Sequence, residues 1–378
     1  MTITDLNTRH KQDKEHTLYG RYISLNDIAP LIDKLPSNFI TEIIGRSVLD
    51  QKIYSITIGN GPKKILMWSQ MHGNESTTTK AIFDLLNSFK NNYFDDILKC
   101  CTIKIIPMLN PDGAKAYTRL NANNVDLNRD AQDLSQPESK VLLDCYNAFK
   151  PDFCFNLHGQ RTIFSAGKTN NVATLSFLSP AVNKERDINS TRAIAMQIIA
   201  SINSFMQTEL PNQIGRYDDG FNANCVGDSF QMKQTPTILY EAGHYKDDYN
   251  REEVRRFTYQ AIIAGLLSIT KEDIKGDNYK AYFDIPENKK LFYDVIIKDA
   301  LIDGEIKDVA IQFQEKLIDN KLNFIPKVEK IFKNDSFFAH KWIEANNLEV
   351  RTVNKEQLYE GYENDFVFVN NVKKSLKH

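Results

Sequence analysis

The chain predicts an α/β protein, a sheet carrying helices on its faces, followed by a smaller domain that is α+β or β-rich. Two observations lead there. Up to about residue 270, short apolar runs alternate with longer amphipathic ones, the pattern of strands interleaved with helices. Beyond that point short strand-like runs dominate, and 378 residues make about two domains at roughly 150 residues each.

Residues 64–69 (KILMWS) form a continuous apolar run that stops at a Gly-containing loop, which suits a buried strand. After Glu75, the residues Ile82, Leu85, Leu86 and Phe89 fall on one face of a helix. A second strand is expected over 102–109 (TIKIIPML) and a helix over 136–149, with Val141, Leu142 and Cys145 on its apolar side. Residues 153–157 are a third apolar run, ending at His158-Gly159; 189–206 and 251–269 have helical period, and 237–240 is a short strand. Residues 271–280 are polar and turn-rich, a linker that divides a domain 1–270 from a domain 271–378. In the latter, 291–297, 309–313 and 366–369 read as strands and 337–345 as a helical piece.

Composition excludes several classes. With 42% hydrophobic and 25% charged residues the chain is neither disordered nor collagen-like. Its 47 Lys+Arg against 49 Asp+Glu lack the basic excess of a general nucleic-acid binder. The expectation is therefore no nucleic-acid partner. No apolar run approaches the roughly 18 residues that a membrane span needs, so no membrane partner is expected either. The five cysteines form no CxxC pair and no disulfide framework, and the polar first twenty residues do not resemble a secretory signal. The expected location is the cytoplasm.

Three polar constellations follow directly on the strand-like runs, at the place where α/β sheets bind ligands. The first is His72-Gly73-Asn74-Glu75. An imidazole and a carboxylate separated by two residues can converge on one metal when the chain turns between them, and both are zinc donors. A catalytic zinc has three protein ligands, and the search for the third is short because the chain has only seven histidines. His10 and His16 lie in the polar N-terminus, His340 in the second domain and His378 at the end. His158 and His244 remain, and His158 ends an apolar strand in the same crevice. The second constellation is Asn110-Pro111-Asp112-Gly113, then Arg119, then Asp126-Leu127-Asn128-Arg129. The NPDG tract makes a turn, while the arginines suit planar carboxylates and developing oxyanions. The third is TPTILYEAG, an apolar strand ending in Glu241, a carboxylate able to serve as general base beside a metal-activated water.

Taken in order, HGNE, NPDG, the following Arg, DLNR, LHG and ILYEAG resemble the zinc carboxypeptidase family, the M14 metallopeptidases, over about residues 40–270. The resemblance implies a mixed, mostly parallel eight-stranded sheet between helices and one Zn2+ per chain. It implies His72, Glu75 and His158 as zinc ligands, Glu241 as general base and acid, and Arg119 as the residue that polarises the scissile carbonyl. It further implies Asn128 and Arg129 as the grip on a terminal carboxylate and Asp126 as the acid orienting the first zinc histidine. The implied activity is hydrolysis of the amide bond next to a C-terminal carboxylate, with a peptide as substrate.

There are departures. Asn74 stands where digestive members carry an arginine, and their substrate-capping tyrosine has no assigned equivalent, the nearest candidate being Tyr217. Asp219, Asn222, Asp228 and Ser229 lie where members line the specificity pocket. HGNE, DLNR and a strand-end Glu also resemble the succinylglutamate desuccinylase and aspartoacylase group, whose extra C-terminal domain keeps a small acyl amino acid open as the alternative substrate.

Overall fold

The computed structural model describes residues 2–271, 274–333 and 335–377. They form two compact units, one of Met1–Gln160 with Ala173–Asn288 and the other of Arg161–Val172 with Lys289–His378. This division differs from the boundary read at residue 270. The segment up to Asn288 packs with the first unit, and a short excursion after Gln160 belongs to the second. Within the expected linker Glu272 and Asp273 lie outside the described residues, while Tyr279–Asp284 is a 3-10 helix of the first unit with Tyr282 buried.

The first unit is built on eight strands: β1 (Ile40–Arg46), β2 (Lys52–Ile58), β3 (Lys63–Ser69), β4 (Cys101–Ile106), β5 (Phe153–Gly159), β6 (Leu175–Leu178), β7 (Ile214–Arg216) and β8 (Thr237–Ala242). Their order in the sheet is β1-β2-β4-β3-β5-β8-β6-β7. The central strands β4, β3, β5 and β8 run parallel, β6 and β7 are parallel to each other, and the remaining pairs are antiparallel. The mixed, mostly parallel sheet expected from the sequence is therefore present.

Both faces are covered, as parallel strands require. One face packs Ile65, Met67, Phe155, Leu157, Ile238 and Tyr240 against the helices Thr77–Lys90, Ser190–Met206 and Glu252–Thr270. The other packs Leu66, Trp68 and Cys154 with Leu142, Cys145, Val226 and Phe230 of the helices Pro137–Phe149 and Val226–Met232. The helix Ile3–Asp13 is anchored through a buried ionic knot: His10 Nε2 lies 3.0 Å from Asp84 Oδ2, and Arg255 reaches the same carboxylate at 2.5 and 2.7 Å. Arg255 and Asp84 are fully buried.

The turns that leave β3 and β4 interlock. Leu109 and Asn110 donate backbone N–H to the carbonyls of Ser69 and Gln70, and Asn110 Nδ2 reaches Met71 O. Asn110 also caps its own turn by accepting from Gly113 N at 2.8 Å, and Asp112 accepts from Ser47 Oγ and Leu49 N. A Cβ on Gly73 would lie 1.9 Å from the Gly113 carbonyl carbon, so only glycine lets the two turns approach this closely.

In the second unit every helix or strand described from Lys289 onward is β. One sheet runs in the order Lys321–Phe332, Glu305–Ile318, Phe292–Ile302, Phe338–Glu344, and a small one joins Val350–Arg351, Phe366–Val369 and Val372–Ser375. The helical piece expected near 337–345 is a strand, paired in parallel with Phe292–Ile302 from Phe338↔Phe292 onward. The excursion joins this unit because Thr162 accepts bonds from Gln312 Nε2 (2.8 Å) and His340 Nε2 (2.9 Å), while Phe292 N donates to Ile163 O. His378 lies outside the described residues.

Two stability outcomes follow from this packing. Asp84→Asn removes the charge facing a fully buried guanidinium, an event that costs roughly 3–5 kcal/mol, read as a lower urea midpoint at unchanged slope. Gly73→Ala must push two backbone turns apart, and overpacking of this kind costs about 1–3 kcal/mol in the same assay. An unchanged midpoint in either variant would contradict the packing described.

Candidate active site

The carboxyl ends of β3, β4, β5 and β8 bring the sequence-selected residues together. After β3 the chain turns through Gln70, whose positive φ of 47° starts the bend toward His72. Glu75 N donates back to His72 O at 3.1 Å, closing the turn that aims both side chains at one point. His158 arrives on β5 and Glu241 on β8, and the parallel register sets them opposite each other.

His72 Nδ1 lies 2.8 Å from Glu75 Oε1, His158 Nδ1 lies 2.9 Å from Glu75 Oε2, and the two Nδ1 atoms are 3.1 Å apart. Among the described residues this is the group of His, Cys, Asp or Glu able to hold a metal, its donor atoms all within 4.8 Å. The imidazoles are 2% and 1% exposed. Behind His72, Asp126 Oδ1 lies 3.0 Å from Nε2 and keeps the ring proton there, so that Nδ1 presents its lone pair to the cluster. One divalent cation would satisfy both imidazole nitrogens and the carboxylate at once, and this donor set is that of zinc.

The charges follow from burial and contact. Burial works to raise the Glu75 carboxyl, yet the facing His72 and His158 hold it below the usual carboxylate range. Asp126 is likewise held low, burial being outweighed by His72 and by the Arg119 charge. Glu241 goes the other way. Burial, then the negative charge of Glu75, push it well above its ordinary value, against smaller pulls from Arg119 and Arg251. Its Oε2 is buried and finds no hydrogen-bond partner among the described residues.

Arg119 straddles the cluster. Its Nε and Nη2 hold Asp126 Oδ2 at 3.1 and 3.0 Å, and Nη1 lies 3.2 Å from His72 Nδ1 and 3.4 Å from Glu75 Oε1. Asp126 also accepts from Asn128 N at 2.9 Å, which forms the 3-10 turn Leu127–Arg129. Asn128 Oδ1 accepts from Val226 N at 3.0 Å. The exposed Arg129 sends Nη1 to Asn128 O and Cys225 Sγ, at 2.6 and 3.1 Å.

Tyr217, unassigned from sequence, is brought here. Burial, then the Glu241 and Glu75 carboxylates, push its phenol upward, which places the ring in the field of both. It follows β7 in a loop, and loop length blurred the spacing that would have identified it. Two pocket candidates have protein partners: Asp219 pairs with the buried Arg192 and with Arg186 at 3.2 Å, and Ser229 Oγ accepts from Gln132. Asn222 Oδ1 accepts from Asn224 N, and its own N–H approaches Asp228 Oδ1 at 3.4 Å. Asp228 is buried, which pushes its carboxyl up to about 6.

The zinc carboxypeptidase family model matches residues 27–265. Carboxypeptidase SOL1 of Arabidopsis thaliana is 32% identical over 137 residues, 31% of this chain and 28% of that protein. Gamma-D-glutamyl-L-diamino acid endopeptidase 1 of Lysinibacillus sphaericus is 34% identical over 105 residues, 25% of this chain and 26% of that one. The chain thus spans little more than a quarter of either relative's length. Among solved structures, the carboxypeptidase A of Helicoverpa armigera aligns over 72% of this chain and 82% of its own, with a TM-score of 0.53 at 16% identity. A metallo-carboxypeptidase of Burkholderia cenocepacia aligns over 65% and 69%, with a TM-score of 0.52 at 18% identity. At such identities these likenesses are of fold. The family match, which extends over well more than half of the residues and includes His72, Glu75, His158 and Glu241, is the decisive finding: the chain belongs to the zinc carboxypeptidase family.

Proposed function

We propose that this protein is a zinc-dependent metallocarboxypeptidase that hydrolyses the amide bond next to the C-terminal carboxylate of a peptide. The observation that carries the reading is the convergence of His72 Nδ1, His158 Nδ1 and the Glu75 carboxylate, with Glu241 opposite His158 on the neighbouring strand. The five cysteines, all free, accord with work in a reducing compartment such as the cytoplasm.

His72, Glu75 and His158 would hold the metal, one ion per chain. When bound, zinc supplies Lewis acidity and makes water acidic near neutral pH. Glu241 takes a proton from the attacking water, a task for which its raised proton affinity suits it, and returns it to the leaving amine nitrogen. Arg119, already oriented by Asp126, donates to the carbonyl oxygen as it gains negative charge. Arg129, with Asn128 Nδ2, receives the terminal carboxylate of the substrate, and Tyr217 closes over it from the β7 side. Asp126 orients His72, Arg119 and the Asn128 turn at once and takes no part in proton transfer.

Removing zinc with a chelator should abolish hydrolysis, and one equivalent of added zinc should restore it. Glu241→Gln keeps shape and removes the base, so it should retain metal while losing roughly 10²–10⁴-fold in kcat. Near-normal turnover in that variant would move the base elsewhere.

The carboxylate grip has its own test. Arg129→Ala should raise KM for free-acid peptides, and the wild type should cleave amidated peptides poorly. Peptides carrying a γ-D-glutamyl-L-diamino acid bond belong in the same screen, given the name of the Lysinibacillus relative. Equal cleavage of amidated and free-acid peptides would refute the grip, and activity confined to N-acyl amino acids would favour deacylation instead.

A further inference from the structure

The guanidinium of Arg251 sits at the end of the β5–β8 ladder and is 2% exposed. Its Nη1 donates to Ala242 O at 2.8 Å and its Nη2 to Gln160 O at 3.0 Å. Ala242 follows Glu241, and Gln160 is two residues beyond His158. The regular ladder closes here, with Gln160 N donating to the same Ala242 carbonyl at 2.9 Å. Past that point no further strand pairing joins β5 to β8. The planar fork of the arginine takes over, spanning the Ala242 carbonyl that closes the ladder and the Gln160 carbonyl beyond it.

The base of Arg251 is held firmly enough to serve as a post. It is the N-cap of the helix Glu252–Thr270, with φ 58°, a left-handed conformation that non-glycine residues seldom adopt. Its N–H donates to Asp248 O and its carbonyl accepts from Arg255 N, both at 3.1 Å. The Asp248 carboxylate caps the same helix through the N–H groups of Glu252, Glu253 and Val254. Around the fork there is little slack. A Cβ on Gly243 would lie 2.2 Å from Ala173 O and 2.4 Å from Gln160 Nε2, and Gln160 Nε2 itself donates to Ala173 O at 2.6 Å. A buried guanidinium that donates to two backbone carbonyls beside His158 and Glu241 suits a positional role, because burying such a group is costly unless its bonds matter.

We infer that Arg251 is a positioning residue: it clamps the ends of β5 and β8 so that His158 and Glu241 keep their mutual placement. The inference rests on the metallopeptidase reading for its catalytic consequence, though the clamp itself is a statement about the two strand ends. A lysine could reach one of the carbonyls, and a methionine of similar length neither.

The test uses the full-length protein and the variants Arg251→Lys and Arg251→Met. Hydrogen–deuterium exchange, followed without substrate, should show faster exchange in Arg251→Met within peptides covering 157–161 and 240–244, by roughly tenfold, with other core peptides unaltered and Arg251→Lys intermediate. In steady-state kinetics on a peptide substrate, kcat should fall roughly ten- to a hundredfold, as when a supporting partner is lost, with KM nearly constant and partial recovery in Arg251→Lys. Wild-type exchange at both strand ends would overturn the clamp, as would acceleration spread evenly over the chain. Loosened strand ends with unchanged kcat would overturn the positioning role. If Arg251→Met does not fold, Arg251→Lys decides the same comparisons. A wild type that hydrolyses no peptide would defeat the metallopeptidase reading alone, and the exchange result would still decide the clamp.

Discussion

The site depends on the parallel register of β5 and β8. Phe155, Leu157 and Gly159 pair with Ile238, Tyr240 and Ala242 on the face that packs against the Ser190–Met206 and Glu252–Thr270 helices. The alternate positions, Cys154, Asn156 and His158 against Thr237, Leu239 and Glu241, point to the other face. Neighbouring strands are only about 4.8 Å apart, so opposite residues on one face are bound to be close. A slip by a single residue would turn the apolar set to the opposite face and carry Glu241 to the wrong side of the sheet. The hydrophobic core of one face thereby holds the chemistry of the other in place.

From this constraint comes the difference in what could be read from the chain. His72, Glu75, His158, Glu241 and the 126–129 tract were legible because each follows an apolar run, and strand ends in a parallel sheet share one edge. Arg251 was not, since its fork meets the backbone carbonyls of Ala242 and Gln160, and a residue type carries no signal of such bonds. β1 escaped notice because it is an edge strand whose Ile40 and Ile43 are 59% and 51% exposed, so it lacks a buried face to set an alternation. The stretch 337–345 has apolar residues at spacings that suit a helix, yet Phe338, His340 and Trp342 also alternate, and the ladder to Phe292–Ile302 decides for a strand. The excursion 161–172 was invisible for a similar reason: its allegiance to the second unit comes from Gln312 and His340, some 150 residues or more downstream.

Asp126 shows how one carboxylate can make a short motif indispensable. It meets His72 Nε2, the Nε and Nη2 of Arg119 and the backbone N–H of Asn128. The first contact fixes a tautomer, the second aims a cation, and the third shapes the turn Leu127–Arg129. Packing the acid, the amide and the second arginine into DLNR lets one anion organise all three. The interlocked turns at Gly73 and Gly113 bring this tract within reach of His72.

The two glutamates of the site then separate by environment rather than by chemistry. Glu75 faces the Nδ1 atoms of His72 and His158 and accepts from Gly159 N, and those partners keep it ionised despite its burial. Glu241 lies in the same low-dielectric pocket with a buried oxygen that no described residue bonds, and the charge on Glu75 adds to its reluctance to ionise. Two carboxylates whose proton affinities are driven apart by their surroundings can hold different offices at one pH. The ionised one is suited to hold a cation permanently, whereas the reluctant one gains and loses a proton. Exchanging the two would require moving two imidazoles and a backbone N–H across the sheet, so the different environments of the two glutamates follow from the fold itself.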